Sequence, residues 1–408
     1  MKPKPHQRKA ARKLVARLLK YGIAILAGEV RSGKTLAFIL ACQKLNLTNV
    51  LIITKKDAIP GIKAVAPKTF TVTNFHQVKN LHTKEYQLVV IDEFHRYVSS
   101  ASPKCTKKNL WKEINEVTHY TPIIFSSGTP TPETYASIYS PLALSCKSPF
   151  NHYKNFTAWH NDYGIPYDII IEWDQVRKRP KRKAKGYDKA QTSKIQKTIE
   201  HLKVTITQAE AGHKYFAKDK LHNIELSDEQ KQMYKLIDKD KMIELEDDYT
   251  ILADTAAKVL QKKHQISGGF VNSVYDFDET QTKIIQLQQL PKVQYIKDNF
   301  DVDNTVIFAF YKAEQEYLSN IFPNVESITK KSDGCDYSHM DNMVIYSFGF
   351  HAVTYEQIRA RQMNFSKRTK DIIVHFLISG IDEYVYNAVS NKKNFTSSWY
   401  KKSNLDLV

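Results

Sequence analysis

The stretch Gly28–Thr35, GEVRSGKT, constrains this chain more than any other. It follows an apolar run, GIAIL, and opens a segment, KTLAFILACQKL, that contains neither proline nor glycine. A strand therefore passes into a helix through a loop with two glycines, a lysine and a hydroxyl. That is the pattern G-x-x-x-x-G-K-[ST], in which glycines let backbone N–H groups converge on a phosphate. The helix start adds the positive end of a dipole. In this pattern Lys34 reaches β- and γ-phosphates and Thr35 holds Mg²⁺. Gly28, Arg31, Ser32 and Gly33 complete the expected nucleotide contacts.

The loop needs a covered parallel sheet, and the first 150 residues supply one. GIAILAG, NVLIITK, TFTVTNF, QLVVIDE and PIIFSSG are near-continuous apolar runs separated by helical stretches. Runs of this kind suit strands buried on both faces of a doubly wound α/β domain. From about residue 151 the texture changes. RKRPKRKAK, residues 177–185, has seven basic residues in nine and reads as an exposed arm, either merely solvated or in contact with a polyanion. Residues 226–289 read as polar and helical. Alternation then returns, with NTVIFAF, NMVIYSF and DIIVHFLI as strands, which indicates a second α/β lobe. The expected organisation is an N-terminal lobe over 1–150, a basic insert over 151–222, and a C-terminal lobe with a helical lead-in over 223–408.

Composition narrows the partner. Lys plus Arg number 60 against 43 Asp plus Glu, a formal net charge of +17, which favours a polyanion such as nucleic acid. The four cysteines have no C-x-x-C spacing and the histidines no metal spacing, so a reducing, cytoplasmic setting is expected rather than a zinc or disulfide framework. No apolar run is long enough for a membrane span. No dimerisation segment is apparent, so a monomer is expected.

Three further stretches carry chemistry. In VVIDEFH, Asp92 ends an apolar strand 58 residues beyond Lys34. An acid there can share Mg²⁺ with Thr35, and Glu93 can orient or deprotonate an attacking water. SSGTP, which ends at Pro130, follows another strand. In EQIRARQ, Gln357 and Arg361 are four apart and share one helical face, whereas Arg359 points elsewhere. Arg361 could act on a γ-phosphate as an arginine finger.

In this order, these stretches resemble motifs I, II, III and VI of superfamily-two helicases and translocases, and more finely the bacteriophage helicases of the Swi/Snf type. Lys4–Gln7, KPHQ, resembles their adenine-reading region, which assigns Gln7 to the nucleotide. TNFHQV resembles the strand end that touches the nucleic-acid backbone, which assigns Thr73, Asn74 and Phe75 to that contact. KSDGCDYS, residues 331–338, resembles motif V. The resemblance implies two RecA-like lobes with ATP and Mg²⁺ between them, catalysis by Lys34, Asp92, Glu93 and Arg361, and Gln357 beside the nucleotide. It implies sequence-independent work on DNA, in replication or recombination of a phage genome; apart from the resemblance, Arg177, Lys178, Arg179, Lys181, Arg182 and Lys183 of the basic arm are candidate contacts to the same backbone, if the arm is not merely solvated. Where the family has a second arginine, this chain has Asn364, and Arg368 lies on nearly the same face. A nucleic-acid-binding module with a vestigial ATPase, and an RNA helicase, are the alternative readings.

Overall fold

The computed structural model describes residues 3–29, 31–81, 85–131, 134–174, 179–212, 217–245, 247–328, 337, 339–351, 355, 358–359 and 372–391, with backbone alone at 169–174, 179–183, 279 and 372. The chain divides into two compact units, Met1–His213 and Lys214–Val408.

The first unit is built on a six-stranded, wholly parallel sheet. Its strands are β1 (Ile23–Gly28), β2 (Val50–Thr54), β3 (Thr71–Asn74), β4 (Leu88–Asp92), β5 (Ile123–Ser127) and a late addition, Lys203–Ile206. The spatial order is β3-β2-β4-β5-β1, with the late strand beyond β1. β2, β4 and β5 are buried at every residue, which is why they read as unbroken apolar runs. One face of the sheet is covered by α1 (Pro5–Tyr21) and α2 (Lys34–Lys44), through Leu14, Leu18, Phe38 and Ile39. The other face carries a larger core, rich in aromatic side chains: Phe75, Phe94, Phe125, Phe150, Phe156 and Trp159. That core also takes in α3 (Phe156–Tyr163) and α4 (Thr192–Ile199), through Tyr163, Ile195 and Ile199.

The stretch expected as an insert over 151–222 is therefore divided. Residues 151–212 belong to the first unit, and their last strand extends its sheet. Within them the basic arm is an antiparallel hairpin, β6 (Tyr167–Asp174) with β7 (Arg179–Gly186). The late strand Lys203–Ile206 is β8. The remainder, β9 (Ala217–Asn223), belongs to the second unit, where it pairs along its whole length with the C-terminal strand Ile372–Ile378.

The second unit has a five-stranded parallel sheet and a small antiparallel one. The antiparallel sheet comprises β10 (Met242–Glu244), β11 (Tyr249–Leu252), β12 (Phe270–Tyr275) and β13 (Asp278–Gln286). α5 (Asp228–Lys239) precedes β10, and α6 (Ala256–Gly268) connects β11 to β12. This corrects the helical reading of 226–289. Val271, Val274, Thr280, Thr282, Ile284 and Ile285 are β-branched residues that favour a pleated, half-buried surface over a helix. Gly269 ends α6 at φ +85°, a conformation that side chains resist, and turns the chain into β12. The parallel sheet comes after it: α7 (Pro291–Asn299), β14 (Thr305–Ala309), α8 (Lys312–Ser319), β15 (Val325–Ser327), β16 (Asn342–Ile345), β17 (Ile372–Ile378) and α9 (Asp382–Ser390), in strand order β15-β14-β16-β17-β9.

Two polar networks tie this unit together. Lys292, 2 % exposed, donates to Asp382 Oδ2 at 2.5 Å and to the Tyr346 carbonyl at 2.9 Å. His264 Nε2 lies 3.4 Å from Asp382 Oδ1. Burial pushes the His264 imidazole down to about 4, so it is neutral near pH 7. Separately, Asp219 on β9 accepts from Arg359 Nε at 2.8 Å and from the Tyr355 and Tyr386 hydroxyls. Arg359 also donates to the Ala217 carbonyl at 2.8 Å. It is thus paired with β9.

Candidate nucleotide site and strand-end surface

The P-loop lies where the strand-to-helix reading placed it, between β1 and α2. Arg31 and Gly33 take positive φ, 60° and 83°, so the loop curls before the helix begins. A Cβ at Gly28 would meet Lys34 Cγ at 2.6 Å, and one at Gly33 would meet Gln7 Nε2 at 2.2 Å. Gly28 is closed to a side chain by the stem of Lys34, and Gly33 disfavours one through its φ of +83°. Gly33, the N-cap of α2, has no side chain of its own, and no side-chain cap hydrogen bond is made there among the described residues. Ser32 Oγ is buried and has no hydrogen-bond partner among the described residues. An uncapped helix start beside an orphaned hydroxyl is chemistry that fits a phosphate group. Thr35 sits half-buried in that same first turn.

Lys34 Nζ donates to the Gly28 carbonyl at 2.9 Å and lies 3.9 Å from Glu93. The ammonium and the acid are thus already neighbours. Asp92 ends β4 and is 8 % exposed. Its Oδ1 accepts from Ser126 Oγ at 2.9 Å and its Oδ2 from Thr54 Oγ1 at 3.2 Å. Burial, reinforced by the like charge of Glu93, raises the Asp92 carboxyl; Lys34 and the two hydroxyls oppose that rise. Such a carboxylate gains from a nearby cation, which fits Mg²⁺ at Asp92 and Thr35.

Glu93 itself has φ 50°, in the left-handed region that glutamate seldom occupies. The kink turns its carboxylate back toward Lys34 and His95. His95 Nδ1 is hydrogen-bonded to Ser127 Oγ at 2.7 Å and lies 3.3 Å from Glu93 Oε2. Burial pushes the His95 imidazole down to about 4. The register explains both links. β5 lies between β1 and β4, pairing Asp92 with Ser126 and Ala27 with Ser127.

Sequence reasoning missed Lys55 and Thr54. Lys55 follows β2, is 9 % exposed, and is driven down to about 8 by burial and by Arg96, against the pull of Glu93. The signal was its place at the end of an all-buried strand adjacent to β4.

The remaining expected residues fall into four groups. Gln7 caps its own helix: Lys4 N donates to its Oε1 at 2.8 Å, and its amide faces the Gly33 carbonyl at 3.5 Å. It supports the P-loop from behind, together with His6 Nε2, 3.0 Å from the Ser32 carbonyl. Thr73 and Asn74 stand at the end of β3, Asn74 accepting from His76 N at 3.0 Å. Phe75 corrects the expectation of a nucleic-acid contact. Its ring is 1 % exposed and stacks on Tyr97 at 4.0 Å, inside the core. Phe75→Ala is expected to cost about 3–5 kcal/mol of stability, read by chemical denaturation, and to leave DNA affinity intact under native conditions. The third group, Arg177, Lys178, Gln357, Arg361, Asn364 and Arg368, lies outside the described residues, as does most of 331–338. Arg179, Lys181, Arg182 and Lys183 are placed on β7 by their backbone alone. Among the described residues no group of three or more metal-ligating side chains occurs, and no helix is long and apolar enough to cross a membrane.

A P-loop whose lysine faces an acidic pair across an intervening strand defines a P-loop nucleotide-binding fold. The family is shown by the sequence: the SNF2-related domain matches residues 42–267, and the chain belongs to that family. Two solved structures are similar over nearly their whole lengths. One is the Sulfolobus solfataricus SWI2/SNF2 ATPase core in complex with dsDNA, at 16% identity and TM-score 0.42, covering 98% of this chain and 93% of that one. The other is the SWI2/SNF2 ATPase core domain of the same organism, at 14% identity and TM-score 0.41, covering 96% and 89%. Among curated proteins no sequence relative matches the chain.

Proposed function

We propose that this chain hydrolyses ATP and uses the cycle to translocate on DNA. The observation that carries the reading is the approach of Lys34 to Glu93, 3.9 Å, on a P-loop with an uncapped helix start. Lys34 exchanges its loop carbonyls for β- and γ-phosphate oxygens. Thr35 and Asp92 would hold Mg²⁺, which would neutralise developing phosphate charge. Asp92 is kept in place by Thr54 and Ser126. Glu93 orients the attacking water and accepts its proton, while neutral His95 relays its position to Ser127 on β5. On the motif resemblance alone, Arg361, which lies outside the described residues, would supply a further cation at the γ-phosphate. Thr73, Asn74 and the β6–β7 hairpin contact the DNA backbone without reading sequence.

The test separates binding from chemistry. Glu93→Gln is expected to bind ATP with near-normal affinity by calorimetry and to lose roughly 10²–10⁴ in hydrolysis rate. Hydrolysis at the wild-type rate would remove Glu93 from the chemical step. DNA binding by a wild-type chain that never turns over ATP would favour the vestigial-ATPase reading.

A further inference from the structure

α1 divides sharply between two faces. Gln7, Ala10, Ala11, Leu14 and Leu18 are buried. Arg8, Lys9, Arg12, Lys13, Ala16, Leu19 and Lys20 are exposed. Arg8, Arg12, Ala16 and Lys20 lie at four-residue spacing in one row and Lys9 and Lys13 in the next, each step about 6 Å along the axis. The face carries five cations, and the helix contains no acidic residue at all. One carboxylate reaches it: Glu210, 3.5 Å from Lys9. Arg8 donates to the Pro3 carbonyl at 2.9 Å, and the Glu210 charge acts on Lys13 as well as Lys9. Five like charges on one exposed face repel one another, and a polyanion relieves that repulsion.

The position of this face sets it apart from the contacts already proposed. α1 covers the sheet face that holds Leu14 and Phe38. Tyr187, at the root of the β6–β7 hairpin, packs on the opposite core, with Phe75 and Trp159. We infer that the exposed face of α1 is a second phosphate-binding surface, which holds a nucleic-acid segment other than the one gripped by the hairpin and strand ends. The inference rests on DNA being the track. Two short rows of cations, the longer broken by Ala16, suit the repeating phosphates of a nucleic-acid backbone. An acidic membrane is the poorer match, because the apolar face of α1 is spent in the core and Leu19, 75% exposed, is the one large apolar side chain left outside. A chain with two such surfaces bridges two duplex segments, or two arms of one branched molecule.

The experiment uses the full chain with Lys9, Arg12, Lys13 and Lys20 all changed to Gln, none of which touches the P-loop. Donor- and acceptor-labelled duplexes report bridging by energy transfer, and a salt titration reports phosphate contacts. Wild type is expected to bring the two labels together. The variant is expected to lose that signal, to flatten the log–log salt slope by about 0.9 per phosphate contact removed, and to keep its DNA-free ATP hydrolysis. Unchanged bridging and slope in the variant would overturn the inference while leaving the motor reading standing. Loss of binding to phosphatidylserine vesicles with an unchanged DNA slope would overturn it in favour of a lipid surface. A wild-type chain that binds no DNA would overturn both this inference and the proposed function.

Discussion

Lys34→Ala is expected to reduce ATP turnover by at least about 10²–10³-fold, the usual cost of removing one preorganised charge-stabilising donor, while the chain stays folded. The ammonium is held by the Gly28 and Glu29 carbonyls and by a 3.9 Å approach to Glu93, not by core packing. Those contacts sit at the rim of the unit, so their loss is expected to cost no more than about 1 kcal/mol of stability. ATP affinity should fall together with turnover, which separates this variant from Glu93→Gln. A thermal melt beside a steady-state assay checks both halves. Near-normal turnover in Lys34→Ala would show that the loop is not the site of hydrolysis.

The second large effect belongs to stability, and it arises far from the P-loop. Lys292→Met should destabilise the second unit by about 3–5 kcal/mol, because it leaves the Asp382 carboxylate, 1 % exposed, without its cation. Burial, the largest influence on His264, still disfavours its charged form when Lys292 is gone, so it is a poor substitute. Lys292→Met combined with Asp382→Leu should recover most of that loss, since removing both charges also removes their desolvation penalty. Urea denaturation monitored by a probe in the second unit reads both variants. A single variant as stable as wild type would show that the pair contributes nothing net.

The parts legible in the sequence were those in which local pattern and burial coincide. β2, β4 and β5 are buried at every residue, so their apolar runs announced a covered parallel sheet. GEVRSGKT lay where the turn chemistry requires glycine. Pairing between distant segments was not legible. β9, AKDKLHN, buries one residue of seven and has no apolar period; it becomes a strand by pairing with β17, about 150 residues later. The small antiparallel sheet was hidden because β13 is largely exposed and polar. At the site, Lys34, Asp92 and Glu93 were readable from motif spacing, but Thr54 and Ser126 were not, since two small hydroxyls acquire meaning only from the β2-β4-β5 order. Phe75 was misplaced because position at a strand end does not say which way a ring turns. The pairing of Arg359 was not legible because Asp219, its partner, lies 140 residues away.

The central claim is that nucleotide hydrolysis at the P-loop is coupled to DNA. Its most direct test is the steady-state ATP hydrolysis rate of the intact chain with Mg²⁺, measured without nucleic acid and with saturating single-stranded DNA, duplex DNA, forked DNA or RNA. Slow hydrolysis alone is expected, with a clear rise on DNA that is independent of base sequence and weakened by salt. Hydrolysis indifferent to every nucleic acid, or stimulated by RNA alone, would contradict the claim.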